Sequence, residues 1–81
     1  MKAIETKYLP ATNFRGTRIK AYAEGGNSIT VGRYNDRLDQ LEGEALVKEV
    51  AIMLCEKMNW PTDLIGGGKA NGDYVFVFRN Q

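Results

Sequence analysis

Thr17-Arg18-Ile19-Lys20-Ala21-Tyr22-Ala23-Glu24-Gly25-Gly26-Asn27-Ser28-Ile29-Thr30-Val31-Gly32-Arg33-Tyr34 is the stretch that decides how this chain folds. Apolar and polar residues alternate on both sides of Gly25-Gly26-Asn27, the period-two pattern of half-buried strands joined by a tight connection. The expectation is an antiparallel hairpin of Thr17 to Glu24 with Ser28 to Tyr34. Glycine and asparagine suit the left-handed backbone that such a loop requires. Ile19, Ala21 and Ala23 belong on one face with Ile29 and Val31. Pairing residues whose numbers sum to 52 achieves this and leaves residues 25–27 as the loop. The other face then carries Arg18, Lys20, Tyr22, Thr30 and Tyr34, with Arg18 across from Tyr34 and Tyr22 across from Thr30. A slip of one residue would exchange the two faces.

Working outward, Lys2 to Leu9 reads as a first strand with Ile4, Thr6 and Tyr8 on one side. Pro10 has no amide proton to continue a ladder, so residues 10–16 read as a loop. Beyond the hairpin, Asp39 followed by Glu42 resembles a capping box, and a helix is expected from about Gln40–Glu42 to Met58. At about 100° per residue, Val47, Val50, Ala51, Leu54 and Met58 form its core stripe, with Leu46 at one edge. Ile52 and Met53 fall outside the stripe among Lys48, Glu49 and Glu56, and are expected to be exposed. Trp60-Pro61 ends the helix, because the residue before proline avoids helical angles. Asp63 to Gly67 is a short strand, Asn71-Gly72 a tight turn, and Tyr74 to Arg79 a final strand. Tyr74, Phe76 and Phe78 face one way and Val75 and Val77 the other, the mark of a central strand.

The expected fold is α+β, one domain over residues 1–81 in the order β-β-β-α-β-β, with an antiparallel sheet and one helix packed on one face. A single helix shields only one side. The second side is wet, covered by the residue 10–16 loop, or covered by another subunit.

Composition narrows the chemistry. The chain has 81 residues, one cysteine and no histidine. A domain this small buries only about 60–65% of its chain surface. Cys55 has no partner for a disulfide, and without histidine there is no Cys-His or Ser-His-Asp arrangement and no ordinary zinc site. No catalytic residue, metal or cofactor is expected. Gly66-Gly67-Gly68-Lys69-Ala70 lacks the spaced glycines and the Ser/Thr of a phosphate loop and reads as a turn. Asp36, Asp39, Glu42 and Glu44 gather at a helix start, where carboxylates meet the positive end of the dipole. No apolar run approaches the ~20 residues of a membrane helix, so a cytoplasmic protein with no membrane partner is expected.

Net charge is +1, but it is unevenly spread. Residues 1–34 hold six Lys/Arg against two acids, a net of +4, whereas residues 35–60 hold three against six, a net of −3. Such polarity can steer binding. Arg18 and Lys20 with Tyr22 and Tyr34 give the hairpin a basic, aromatic face. Phe14-Arg15 on the preceding loop has the composition of an interface anchor.

Thr6-Lys7-Tyr8-Leu9-Pro10-Ala11-Thr12-Asn13-Phe14-Arg15-Gly16-Thr17-Arg18-Ile19-Lys20-Ala21 resembles the opening of a family of short proteins of bacteriophages and other mobile elements. Leu64-Ile65-Gly66-Gly67-Gly68 with Asn71-Gly72-Asp73-Tyr74-Val75-Phe76-Val77-Phe78 looks like that family's closing hairpin. The resemblance implies an accessory protein acting in the bacterial host cytoplasm, with no activity attached. The resulting expectation is a non-enzymatic module that binds a host or phage protein, interference with a defence complex being one form. Phe14, Arg15, Arg18, Lys20, Tyr22 and Tyr34 are its expected contact residues, and Ile52 and Met53 a second surface. A homodimer is a further expected partner. Nucleic acid bound by the hairpin at 17–34 is the alternative, set back by the modest overall charge.

Overall fold

A computed structural model describes residues 3–13, 16–33, 35–70 and 72–79. Five strands and one long helix follow the order β1 (Ala3–Leu9), β2 (Arg18–Tyr22), β3 (Ser28–Gly32), α1 (Gly43–Met58), β4 (Leu64–Gly68) and β5 (Tyr74–Phe78). Short 3-10 turns cover Glu24–Gly26 and Asp36–Leu38. The strands form one antiparallel sheet in the order β3-β2-β1-β5-β4, with α1 across one face. This is the α+β arrangement expected from the sequence.

Alternation along the strands sorts the side chains between the faces. Ile4 and Thr6 on β1, Ile19 and Ala21 on β2, Val31 on β3, Leu64 on β4 and Phe76 and Phe78 on β5 are buried. They meet Leu46, Val47, Val50, Ala51, Leu54 and Cys55 of α1, with Leu38 closing one end. Thr6 is the buried polar residue of this layer, and its hydroxyl donates to the Tyr74 carbonyl at 3.0 Å. Its burial therefore leaves no unmet hydrogen bond.

The hairpin keeps the expected faces but shifts in register. Arg18 pairs with Gly32, Lys20 with Thr30 and Tyr22 with Ser28, so paired numbers sum to 50 rather than 52. A shift of two preserves which side chains share a face. Two contacts set it. The Ala23 amide bonds to the Asn27 carbonyl at 2.9 Å and closes the loop around residues 24–26, where Gly25 and Gly26 take φ of 86° and 82°. At the far end the Asn35 amide bonds to the Gly32 carbonyl at 3.1 Å and turns the chain out of the strand. Arg18 thus faces Gly32, not Tyr34, which lies outside the described residues.

The helix differs at both ends. Glu42 is the N-cap without a side-chain hydrogen bond, so the Asp39–Glu42 capping box does not form. Gly43 opens the helix at φ 60°, a conformation that misaligns the reciprocal box geometry. Arg37 holds this region instead, reaching Glu49 and Glu56, about two and nearly four turns into α1, both at 2.7 Å. At the C-terminus the chain turns at Asn59, left-handed at φ 60°. The Trp60 amide bonds to the Cys55 carbonyl (2.8 Å) and the Asn59 amide to that of Glu56 (3.3 Å), a Schellman motif. The helix has already stopped before Pro61 acts. Ile52 and Met53 are half-buried and pack against the core, not exposed as their helical projection predicts. A projection ignores what covers the helix flanks.

A candidate binding face on the open side of the sheet

The face turned away from α1 carries the odd residues of β1 and the even residues of β2 and β3. Pairing places Glu5 beside Tyr22, Lys7 beside Lys20, and Leu9 beside Arg18. Ser28, Thr30 and Gly32 continue these rows on β3. Arg18, Lys20 and Tyr22 therefore point away from the helix, as the hairpin's pattern requires. Lys7 joins them although the sequence gives no direct sign of it. Its place depends on β1 lying against β2, a long-range pairing that local alternation does not encode.

Lys7 and Lys20 flank one ring. Their ammonium nitrogens lie 5.9 and 5.6 Å from the centroid of Tyr22, within cation–π reach. Among the described residues neither lysine forms an ion pair. Among the described residues Arg18 is held by its own loop, through Nε to the Gly16 carbonyl at 3.4 Å. By contrast, Lys69 is tied to Glu5 at 2.7 Å, and that contact raises its pKa. Arg33 spends both terminal nitrogens on the carbonyls of Leu38 and Leu41, at 3.1 and 2.9 Å. Arg33 and Arg37 are thus structural cations, whereas Lys7, Lys20 and Arg18 stand on this face without an ion pair among the described residues.

Beside this basic strip lies an open recess of about 300 Å³ lined by Ala3, Glu5, Tyr22, Ala23 and Glu24. Beyond it, Ala3, Val77 and Ile65 stand in one row across β1, β5 and β4. Ile65 is 45% exposed. The face thus grades from cationic at β2 to apolar at β4. The acid-rich segment 35–60 forms the helix side, so the charge asymmetry of the sequence becomes a two-sided molecule.

The remaining sequence candidates separate from this site. Phe14, Arg15 and Tyr34 lie outside the described residues. Ile52 and Met53 sit on α1, across the sheet from the basic strip. Cys55 is buried and desolvation pushes its thiol upward, away from the reactive thiolate. No protein-family model, curated protein or solved structure matches this chain. No helix among the described residues is long and apolar enough to cross a membrane.

Proposed function

We propose that this chain is a non-enzymatic binding module that docks an acidic surface of a protein partner onto the open face of its sheet. The observation that carries the reading is the Lys7–Lys20 pair. Like charges directly opposite on neighbouring strands are destabilising, and an acid at either position would relieve the repulsion. A local rule broken with only the Tyr22 ring and no carboxylate to offset it among the described residues is what a docking site looks like. A partner carboxylate between the two ammonium groups supplies the missing compensation. The resemblance to phage accessory proteins makes that partner a host or phage protein in the bacterial cytoplasm, with a defence complex as one target.

Affinity capture from bacterial lysate tests this, with wild type and Lys7→Glu/Lys20→Glu as baits. An acidic protein retained by wild type and lost with the variant is the expected result. Identical recoveries with both baits, or none with either, would remove the reading.

A second reading has the strip of Lys7, Arg18 and Lys20 in its favour, since cations spaced along a flat sheet can track phosphates. It ranks lower because Tyr22 is flanked by ammonium groups and its ring is less free to stack on a base. Gel-shift at low salt separates the two, because phosphate contacts weaken steeply as salt rises.

A further inference from the structure

The sheet has two edges, and they are treated differently. On the β3 edge, the Arg33 amide bonds to the Thr17 carbonyl (2.9 Å), which makes 17 and 33 a hydrogen-bonded pair. By alternation the polar groups of Ser28, Thr30 and Gly32 point outward. Two of those carbonyls are occupied. Lys57 Nζ donates to Ser28 at 3.0 Å and the Asn35 amide donates to Gly32 at 3.1 Å. A lysine and a turn over an edge are common means of blocking further strands.

The β4 edge has no such cover among the described residues. The Arg79 amide bonds to the Asp63 carbonyl (2.9 Å) and the Lys69 amide to the Asp73 carbonyl (2.7 Å). The odd residues of β4 therefore face β5, and Leu64, Gly66 and Gly68 direct their amides and carbonyls outward. Gly66, Gly67 and Gly68 put no side chain in the way of an incoming backbone. The strand contains neither proline nor an inward charge to repel one.

We infer that β4 pairs antiparallel with β4 of a second copy of this chain, about a two-fold axis through Gly66. This goes beyond the docking face and does not depend on it. The register is set by the outward groups and by charge. With Gly66 opposite Gly66, Leu64 lies opposite the partner's Gly68, and all three outward residues enter hydrogen-bonded pairs. The same register sets Asp63 opposite the partner's Lys69 at both ends of the ladder. Asp63 already meets Arg79 at 2.9 Å and Lys69 meets Glu5 at 2.7 Å, both exposed, so the trans pairs select register more than strength. Glu44, near Gly66 on the helix side, is exposed and can turn into solvent. The product is a continuous ten-stranded sheet. Its two basic strips lie on one side, seven strand spacings or roughly 34 Å apart from β2 to β2.

Sedimentation velocity and hydrogen exchange over a dilution series test this. Wild type is expected to move from twice 9.1 kDa toward 9.1 kDa on dilution. The Leu64, Gly66 and Gly68 amides should lose protection in step. Gly68→Pro removes one outward donor and no bond to β5, so it is expected to be monomeric with an unchanged circular dichroism spectrum. Asp63→Lys, which sets lysine against lysine at both ends, should weaken the dimer at least tenfold, and Asp63→Lys/Lys69→Asp should recover it. The charge variants keep the test valid should the proline variant not fold. Wild type monomeric up to about 1 mM, the weak end of measurable affinity, would overturn the inference. So would a dimer whose dissociation constant none of these variants changes.

Discussion

Adding one methyl group at Gly66 and the same group at Gly67 should change stability in opposite directions. Gly66 pairs with Phe76 across β4 and β5. By the alternation set at Asp63 and Lys69 this is a non-hydrogen-bonded pair, in which side chains approach most closely. A Cβ on Gly66 would overlap Phe76 Cε1 and stand 2.6 Å from Cδ1. The ring cannot withdraw easily, being fully buried and stacked at 6.5 Å on Tyr74. Overpacking of this kind costs about 1–3 kcal/mol. Relief of the glycine's unfolded-state entropy returns only about 0.5–1 kcal/mol. Gly66→Ala is therefore expected to lose about 1–2 kcal/mol, a fall of roughly 4–16 °C in Tm for a domain of this size. Gly67 lies on the open face with nothing within 4 Å of its Cβ position. Gly67→Ala should keep the entropic gain and rise by about 0.5 kcal/mol. Urea unfolding followed by circular dichroism reads both, with equal m-values confirming that the unfolded states match. A double variant, Gly66→Ala/Phe76→Leu, should show a favourable coupling of at least about 0.5 kcal/mol as the smaller side chain makes room. Gly66→Ala as stable as Gly67→Ala would refute the placement of the Phe76 ring over β4, and with it the β4–β5 register.

Other expectations follow from the same geometry. Asn59→Gly should stabilise the chain by about 0.5 kcal/mol and Asn59→Ala should destabilise it by about 1 kcal/mol, because only glycine takes the left-handed cap freely; thermal melts at equal concentration decide it. The Arg37 guanidinium holds the Glu56 carboxyl below the usual carboxylate range. A depressed folded pKa contributes stability above the unfolded value and loses it as pH falls through the folded one. The stability difference between wild type and Glu56→Gln should thus be present at neutral pH and vanish in acid, and a constant difference across pH would contradict the clamp. Cys55 should react with a thiol reagent only as fast as the chain opens, since burial shields it and raises its pKa. Prompt labelling of the native state would show that the helix–sheet interface is not closed.

The parts of this fold legible in the sequence are those set by local periodicity. Ile19, Ala21, Ile29 and Val31 alternate, so their common face could be read directly, and with it the outward placement of Arg18, Lys20 and Tyr22. The helix stripe was readable for Val47, Val50, Ala51 and Leu54 because neighbours three and four apart share a face. What escaped depends on contacts distant in the chain. The hairpin register turns on the Asn35 amide at Gly32 and the closure of Ala23 onto Asn27, and parity alone cannot distinguish a sum of 50 from 52. Arg37 bridging Glu49 and Glu56, like Lys7 beside Lys20, requires tertiary placement before it has meaning. Ile52 and Met53 misled for the same reason, since their half-burial comes from packing beyond the helix itself.

The central claim is that the basic strip on the open face receives carboxylates. Its most direct test is an amide chemical-shift map recorded as poly-glutamate is titrated into labelled protein at moderate salt. The account predicts shifts confined to residues 5–9 and 18–22, abolished by Lys7→Glu/Lys20→Glu and absent from Gly43–Met58. Shifts centred on α1, or a map the double variant leaves unchanged, would contradict it.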